Sequence, residues 1–136
     1  MARPITLLLV EDDPTLLHTL ALALGARGYK VLTAGCVREG LSVVAGTGQV
    51  DAMVIDLGLP DGMGWELVEH LRQVGRTPPP TVLISASTLS PREVHAHGLT
   101  AYLPKPFSVE HLVEVVSLAM QRSGTTISPH NKEVLL

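Results

Sequence analysis

The chain has 136 residues, of which 46% are hydrophobic and 17% are charged, and its formal net charge is −3. This composition is typical of one globular domain and excludes an intrinsically disordered chain. With a pI near 6.0, the charge balance predicts no basic surface of the kind that binds nucleic acid or anionic lipid.

Five apolar runs of strand length lie along the chain, and we predict strands at residues 5–10, 29–34, 50–55, 81–85 and 101–103. Runs that are apolar on both faces are typical of parallel strands covered by helices. Apolar residues recur at helical spacing after four of these runs, in PTLLHTLALALGARG, CVREGLSVVAG, WELVEHLRQVG and SVEHLVEVVSLAMQR. The alternation of strand and helix predicts a doubly wound α/β domain with a five-stranded parallel sheet.

The N-terminus and the single cysteine indicate where the protein resides. The first apolar run has only six residues, which is too short for a signal peptide or a membrane span. Cys36 cannot form an internal disulfide, and we interpret it as a small buried residue. We therefore expect a cytoplasmic protein.

Polar side chains follow four of the predicted strands, at the point where each strand ends. They are Glu11, Asp12, Asp13, Asp56, Ser85 and Lys105. Because the carboxyl ends of parallel strands meet at one edge of a sheet, we expect these side chains to converge. Clustered carboxylates repel one another unless a cation neutralises them, and a small set of acids suits Mg²⁺.

This combination of groups indicates phosphoryl chemistry. A metal, a lysine and a small hydroxyl around one carboxylate supply the partners that the oxygens of a phosphoryl group need. The central carboxylate, Asp56, can then act as the nucleophile and form an aspartyl phosphate.

Four motifs carry a resemblance to a known family. In their order and spacing, LLLVEDDP, VIDLGLPDGMG, LISAS and YLPKPF resemble the signatures of the receiver domain of two-component response regulators. The resemblance covers residues 5–121 and implies a flavodoxin-like sheet with strand order 2-1-3-4-5. It implies a phosphorylation-controlled signalling switch rather than an enzyme, with intrinsic self-phosphorylation and self-dephosphorylation.

The same resemblance assigns roles to individual residues. Asp56 would be the phosphoacceptor and share in binding Mg²⁺, Asp12 would bind the ion directly, and Glu11 would bind it through water. Gly58 would offer its backbone carbonyl as a further metal ligand. Ser85 would contact the phosphoryl group through its hydroxyl and take part in switching, and Lys105 would pair with the phosphoryl group. Tyr102 would be the aromatic switch residue.

The resemblance also implies partners, and the composition indicates a domain boundary. A sensor histidine kinase would donate the phosphoryl group, and an output domain or a partner protein would receive the signal. We expect no direct contact of this domain with nucleic acid or membrane, and a homodimer on phosphorylation is one expectation. After Arg122 the composition changes to small and polar residues before an apolar end, so the receiver domain would span residues 1–122, with 123–136 as a tail, a linker or the start of an output domain.

One segment departs from the family pattern. Ser85 and Lys105 are 20 residues apart, slightly closer than is usual, and STLSPREVHAHGLTA lacks the customary Gly-Ala pair before the last strand. We therefore predict a short or irregular fourth helix.

Several residues have a simpler interpretation than a role in the site. Asp13 is expected to cap the first helix rather than bind metal. Gly64 is expected to supply a positive φ before the third helix. His95 and His97 have metal-ligand spacing but no third ligand, so surface positions are favoured. Trp65 is expected to pack on its helix or lie partly exposed.

Two other function classes fit the residues less well. A phosphatase with an aspartyl nucleophile would resemble a family that has a second aspartate two residues later, where Gly58 stands. A flavodoxin-like cofactor binder would need a hydroxyl- and glycine-rich loop after the first strand, where three acids stand. The signalling switch is therefore the favoured interpretation.

Overall fold

In the computed structural model, which describes residues 3–121, seven strands occur. They are β1 (Thr6–Val10), β2 (Lys30–Ala34), β3 (Ala52–Asp56), β4 (Gly58–Leu59), β5 (Gly62–Met63), β6 (Thr81–Ser85) and β7 (Ala101–Pro104). Five of them form a parallel sheet in the order β2-β1-β3-β6-β7. Counting only the strands of this sheet, the order is the predicted 2-1-3-4-5. The remaining two, β4 and β5, pair as a small antiparallel hairpin directly after β3.

Five helices cover the two faces of this sheet. They are α1 (Pro14–Ala26), α2 (Val37–Thr47), α3 (Trp65–Gln73), α4 (Pro91–Ala96) and α5 (Val109–Gln121). In β1, Leu7 and Leu9 pack towards α1 and α5, whereas Leu8 and Val10 pack towards α2 and α3. Burial on both faces explains why the strands are continuous apolar runs rather than alternating ones.

The fourth helix is short, as predicted. It has six residues and begins after Ser90 with a capping box. The hydroxyl of Ser90 accepts a hydrogen bond from the amide of Glu93, and the carboxylate of Glu93 accepts one from the amide of Ser90. Val94 is its buried residue. The predicted cap of the first helix is also confirmed, because the carboxylate of Asp13 accepts from the amides of Thr15 and Leu16.

The prediction for Gly64 is wrong. Its φ is −55°, in the right-handed helical region, so no positive φ is needed there. A β-carbon at this position would overlap the carbonyl oxygen of Asp56 and crowd the side chain of Ile55. Glycine is required because the start of α3 passes directly over the end of β3.

Two further sequence-based expectations concern the chain ends and the membrane. The predicted tail at residues 123–136 lies outside the described residues. Within residues 3–121, no helix combines the length and the apolar character needed to cross a membrane.

Candidate functional site

Three acidic side chains meet at the carboxyl edge of the sheet. Glu11 and Asp12 follow β1, and Asp56 ends the neighbouring strand β3. One oxygen from each carboxylate lies within 4.8 Å of the others. Glu11 and Asp56 are buried, with 1% and 7% of their surface exposed, while Asp12 is exposed. The cluster is therefore held rigidly on one side and open to solvent on the other.

Lys105 brings a positive charge into this cluster. Its Nζ lies 3.1 Å from Oε1 of Glu11 and 3.0 Å from Oδ1 of Asp56. Its backbone N–H donates to the carbonyl of Ser85 at 2.8 Å, which continues the pairing of β6 with β7 by one residue. A cis peptide bond to Pro106 follows. The end of the sheet thus places the lysine directly against the two buried acids.

Burial and hydrogen bonds shift the ionisation of these groups. Burial raises the pKa of Glu11, and hydrogen bonds from the Asp13 amide and from Lys105 only partly oppose this. Burial alone would lower the pKa of Lys105, but its hydrogen bonds with Asp56 and Glu11 together raise it. The lysine is therefore charged at neutral pH.

The donor set fits a hard divalent cation. Among the described residues, three carboxylates form the cluster and the Lys105 ammonium pairs with two of them, Glu11 and Asp56, so negative charge is left to balance. Mg²⁺ binds through few carboxylates and retains several waters, which suits a cluster whose third acid faces solvent. Glu11, Asp12 and Asp56 could hold such an ion.

A loop residue that the sequence analysis did not single out joins Ser85 to Tyr102. The amide of Ser87 donates to Oγ of Ser85 at 2.9 Å, and the hydroxyl of Tyr102 donates to the carbonyl of Ser87 at 3.2 Å. Ser85 and Tyr102 are both buried. A movement of the Ser85 hydroxyl is thereby linked through one residue to the phenol of Tyr102.

The hairpin after Asp56 is fixed to two helices, a feature that sequence reasoning missed. The carboxylate of Asp61 accepts from the amides of Val37 and Arg38 at 2.8 and 2.9 Å, at the start of α2. Both hydrogen bonds lower the pKa of Asp61, and the one from the Arg38 amide has the larger effect. Glu66 of α3 accepts from the hairpin amide of Met63 at 2.6 Å.

Gly58 lies exposed in this hairpin, two residues after Asp56. Because the hairpin is attached to both α2 and α3, its strand β4 has a fixed position beside the acidic cluster. The role of the Gly58 carbonyl as a metal ligand stays a prediction.

His97 contacts Trp65 and Glu69. The rings of Trp65 and His97 stack with centroids 3.7 Å apart and planes inclined by 3°. Nδ1 of His97 lies 3.9 Å from Oε2 of Glu69, and His95 is exposed. Within residues 3–121, the only group of three or more potential metal-ligating side chains is Glu11, Asp12 and Asp56. His95 therefore lies at the surface, as favoured from the sequence, whereas His97 is partly covered by Trp65.

Comparison with known proteins identifies a family. The family model of the response regulator receiver domain matches residues 7–117. The KDP operon transcriptional regulatory protein KdpE of Escherichia coli is 34% identical over 124 residues, which cover 90% of this chain and 54% of that protein. The probable transcriptional regulatory protein TcrX of Mycobacterium tuberculosis is 32% identical over 130 residues, covering 91% of this chain and 53% of TcrX. The chain thus spans about half the length of these curated relatives.

Solved structures agree with this family and with the fold. The chemotaxis response regulator CheY4 of Vibrio cholerae superimposes with a TM-score of 0.75 at 29% identity, covering 85% of this chain and 98% of CheY4. The receiver domain of the Francisella response regulator 1452 gives a TM-score of 0.75 at 25% identity, covering 88% and 98% of the two chains. The protein therefore belongs to the response regulator receiver domain family.

Proposed function

We propose that this receiver accepts a phosphoryl group on Asp56 from a sensor histidine kinase and then changes conformation to control an output domain or a partner protein. One observation carries the proposal. The ammonium of Lys105 lies 3.0 Å from Asp56 and 3.1 Å from Glu11, within an acidic cluster that could hold a divalent cation. Phosphoryl transfer to a carboxylate requires this combination of nucleophile, ammonium and cation-binding acids.

Lys105 and Asp56 have separate roles in the transfer. Lys105 holds Oδ1 of Asp56, which fixes the carboxylate and leaves Oδ2 for attack on phosphorus. The new P–O bond forms as the P–N bond to the donor histidine breaks, and the electron pair of that bond stays on the imidazole nitrogen. The ammonium then lies close enough to pair with an oxygen of the phosphoryl group.

The acids would hold Mg²⁺. Asp12 and Asp56 would bind it directly, Glu11 through water, and the backbone carbonyl of Gly58 would be a further ligand. When bound, the ion would neutralise negative charge that the phosphoryl group brings to three carboxylates.

Switching would run through Ser85 and Tyr102. Ser85 Oγ accepts from the Ser87 amide, so its hydroxyl hydrogen is available to a phosphoryl oxygen. A phosphoryl group adds about −1.5 to −2 charge and draws this hydroxyl inward. Because the Tyr102 phenol bonds the carbonyl of the same Ser87, inward movement of the loop changes the partner of the tyrosine and favours an active conformer.

Incubation of the full chain with acetyl phosphate and Mg²⁺ tests the acceptor. Intact-mass measurement should show one added phosphoryl group, which decays after the donor is removed. Asp56→Asn should show none. Asp13→Asn is the matched control, because it removes a neighbouring charge yet retains a capping side chain. The proposal fails if Asp56→Asn forms the same adduct at the wild-type rate.

Mg²⁺ binding tests the metal assignment separately. Asp12→Ala should abolish the weak, millimolar-range binding of Mg²⁺ because too few carboxylates remain. The fluorescence of Trp65 or amide chemical shifts can follow the titration, again with Asp13→Asn as the control. Undiminished binding in Asp12→Ala would contradict the assignment.

A sizing column run on the phosphorylated chain tests the expected homodimer.

A further inference from the structure

A cavity lies at the opposite end of the sheet from Asp56, beside the starts of β6 and β7. It has a volume of about 620 Å³, and its walls are formed by residues 75–80 and 98–100 together with Arg72 and His95. Because the strands are parallel, this location is remote from the acidic cluster at their carboxyl ends. The proposed phosphorylation chemistry leaves this cavity unused.

The charge of the cavity is positive. Arg72, Arg76 and His95 line it, and no acidic side chain does. Among residues 3–121, neither guanidinium makes a hydrogen bond or ion pair with another side chain or backbone group. Two uncompensated arginines therefore face one concave surface, although the chain as a whole carries a formal net charge of −3.

The local backbone brings the two arginines together. At the end of α3, Gly75 has a φ of +80°, and the amide of Arg76 donates to the carbonyl of Leu71. This turn reverses the chain, so that Arg76 joins Arg72 on the cavity wall. A β-carbon on Gly98 would overlap the guanidinium of Arg72. The guanidinium therefore lies directly against the backbone of Gly98.

Arginines near the end of a helix often serve only to compensate its dipole. Here the carbonyls of Leu71 and Arg72 already accept hydrogen bonds from the backbone amides of Arg76 and Gly75. On the other wall, the carbonyl of His95 accepts from the amide of Gly98. The backbone thus closes these helix ends without the side chains, and the guanidinium donors stay available to a ligand.

We propose that this cavity binds a small molecule bearing phosphoryl groups, independently of Asp56. Guanidinium groups pair with phosphate oxygens through two parallel hydrogen bonds. A tetrahedral phosphoryl group offers oxygens in several directions, as two arginines approaching from a helix end and from a loop require, whereas a planar carboxylate does not. The volume falls within the range of about 300–1,000 Å³ that is typical of small-molecule sites.

Amide chemical shifts of the full chain, titrated in EDTA at low salt with inorganic pyrophosphate and with ATP, and with citrate as a carboxylate for comparison, test this proposal. We expect saturable shifts at Thr77, Gly98 and Thr100. The double variant Arg72→Gln/Arg76→Gln should weaken binding by about tenfold or more. Arg92→Gln, which removes the same charge from α4 outside the cavity lining, is the matched control.

Four outcomes would overturn the proposal. They are the absence of saturable shifts, equal weakening by the Arg92→Gln control, unchanged binding in the double variant, and tighter binding of citrate than of pyrophosphate. A urea unfolding curve of the double variant verifies that it is folded. Asp56→Asn should bind both probes as the wild type does, so the outcome does not depend on the proposed phosphorylation.

Discussion

Replacing Lys105 with methionine should destabilise the metal-free protein and make it more dependent on Mg²⁺. The side chains of Glu11 and Asp56 are 1% and 10% exposed, and they share the ammonium of Lys105, which is 25% exposed. Methionine has a similar length but no charge. Its introduction leaves two buried carboxylates facing each other without a cation.

The size of the effect follows from these contacts. Removing one partner of a fully buried ion pair costs about 3–5 kcal/mol. The lysine is partly exposed and Asp12 opens the cluster to water, so screening reduces the expected loss to about 1–3 kcal/mol in the free energy of unfolding. With a urea dependence of about 2 kcal/mol per molar, in the middle of the usual range, the unfolding midpoint should fall by about 0.5–1.5 M.

Mg²⁺ should restore more stability to the variant than to the wild type, because the ion no longer competes with an ammonium. At ten times the dissociation constant, a bound ligand adds about 1.4 kcal/mol. The pH dependence has a defined sign. Because burial raises the pKa of Glu11, that acid takes up a proton as the pH falls, the repulsion disappears, and the deficit seen at neutral pH shrinks.

Urea unfolding in EDTA and in Mg²⁺, repeated at neutral and at mildly acidic pH and followed by far-ultraviolet circular dichroism, measures all three effects. Lys30→Met is the matched control, since Lys30 is an exposed residue of β2, and it should shift stability by no more than about 0.5 kcal/mol. Equal midpoints for Lys105→Met and the wild type in EDTA would refute the reasoning. So would an equal gain from Mg²⁺ in the two proteins.

Two further predictions concern close contacts around α3. Gly64→Ala should destabilise the fold by about 1–3 kcal/mol, because its β-carbon overlaps the last residue of β3. The control Gly46→Ala lies in α2 with open space around it and should be neutral or stabilising in the same urea assay. Equal losses in the two variants would contradict the steric account. His97→Ala should shift the fluorescence emission of Trp65, the single tryptophan, to longer wavelength, because the ring that stacks on the indole is removed. An unchanged emission spectrum would show that the stack does not shield the indole from water.

The parallel sheet was predictable because each of its strands is a continuous apolar run. The strand predicted at residues 81–85 has the observed bounds Thr81–Ser85, and the others differ at their ends by one or two residues. Burial on both faces leaves this signal in the sequence wherever a strand occurs. The acidic cluster was predictable for the same reason, since the strand ends fix where Glu11 and Asp56 meet.

The connections between distant segments were not predictable from local patterns. Asp61 lies 24 residues from Val37, whose amide it binds, and nothing in the turn sequence indicates that partner. The stack of Trp65 on His97 joins α3 to the residue after α4. The strands of the β4–β5 hairpin have two residues each, which is too short for any periodicity. Gly64 was assigned the wrong cause because steric crowding by a neighbouring strand leaves no local signal.

The brevity of α4 lowers the free energy that is needed to unfold this helix locally. Isolated helices shorter than about 12–15 residues are marginal in water, and α4 has six residues, one capping box and one buried side chain, Val94. Opening this helix exposes little apolar surface and leaves the sheet intact. Hydrogen exchange should therefore be faster in α4 than in α3 or α5. In the proposed function, a low cost of opening α4 would let the contacts of one phosphoryl group shift the population between conformers while the rest of the domain remains folded.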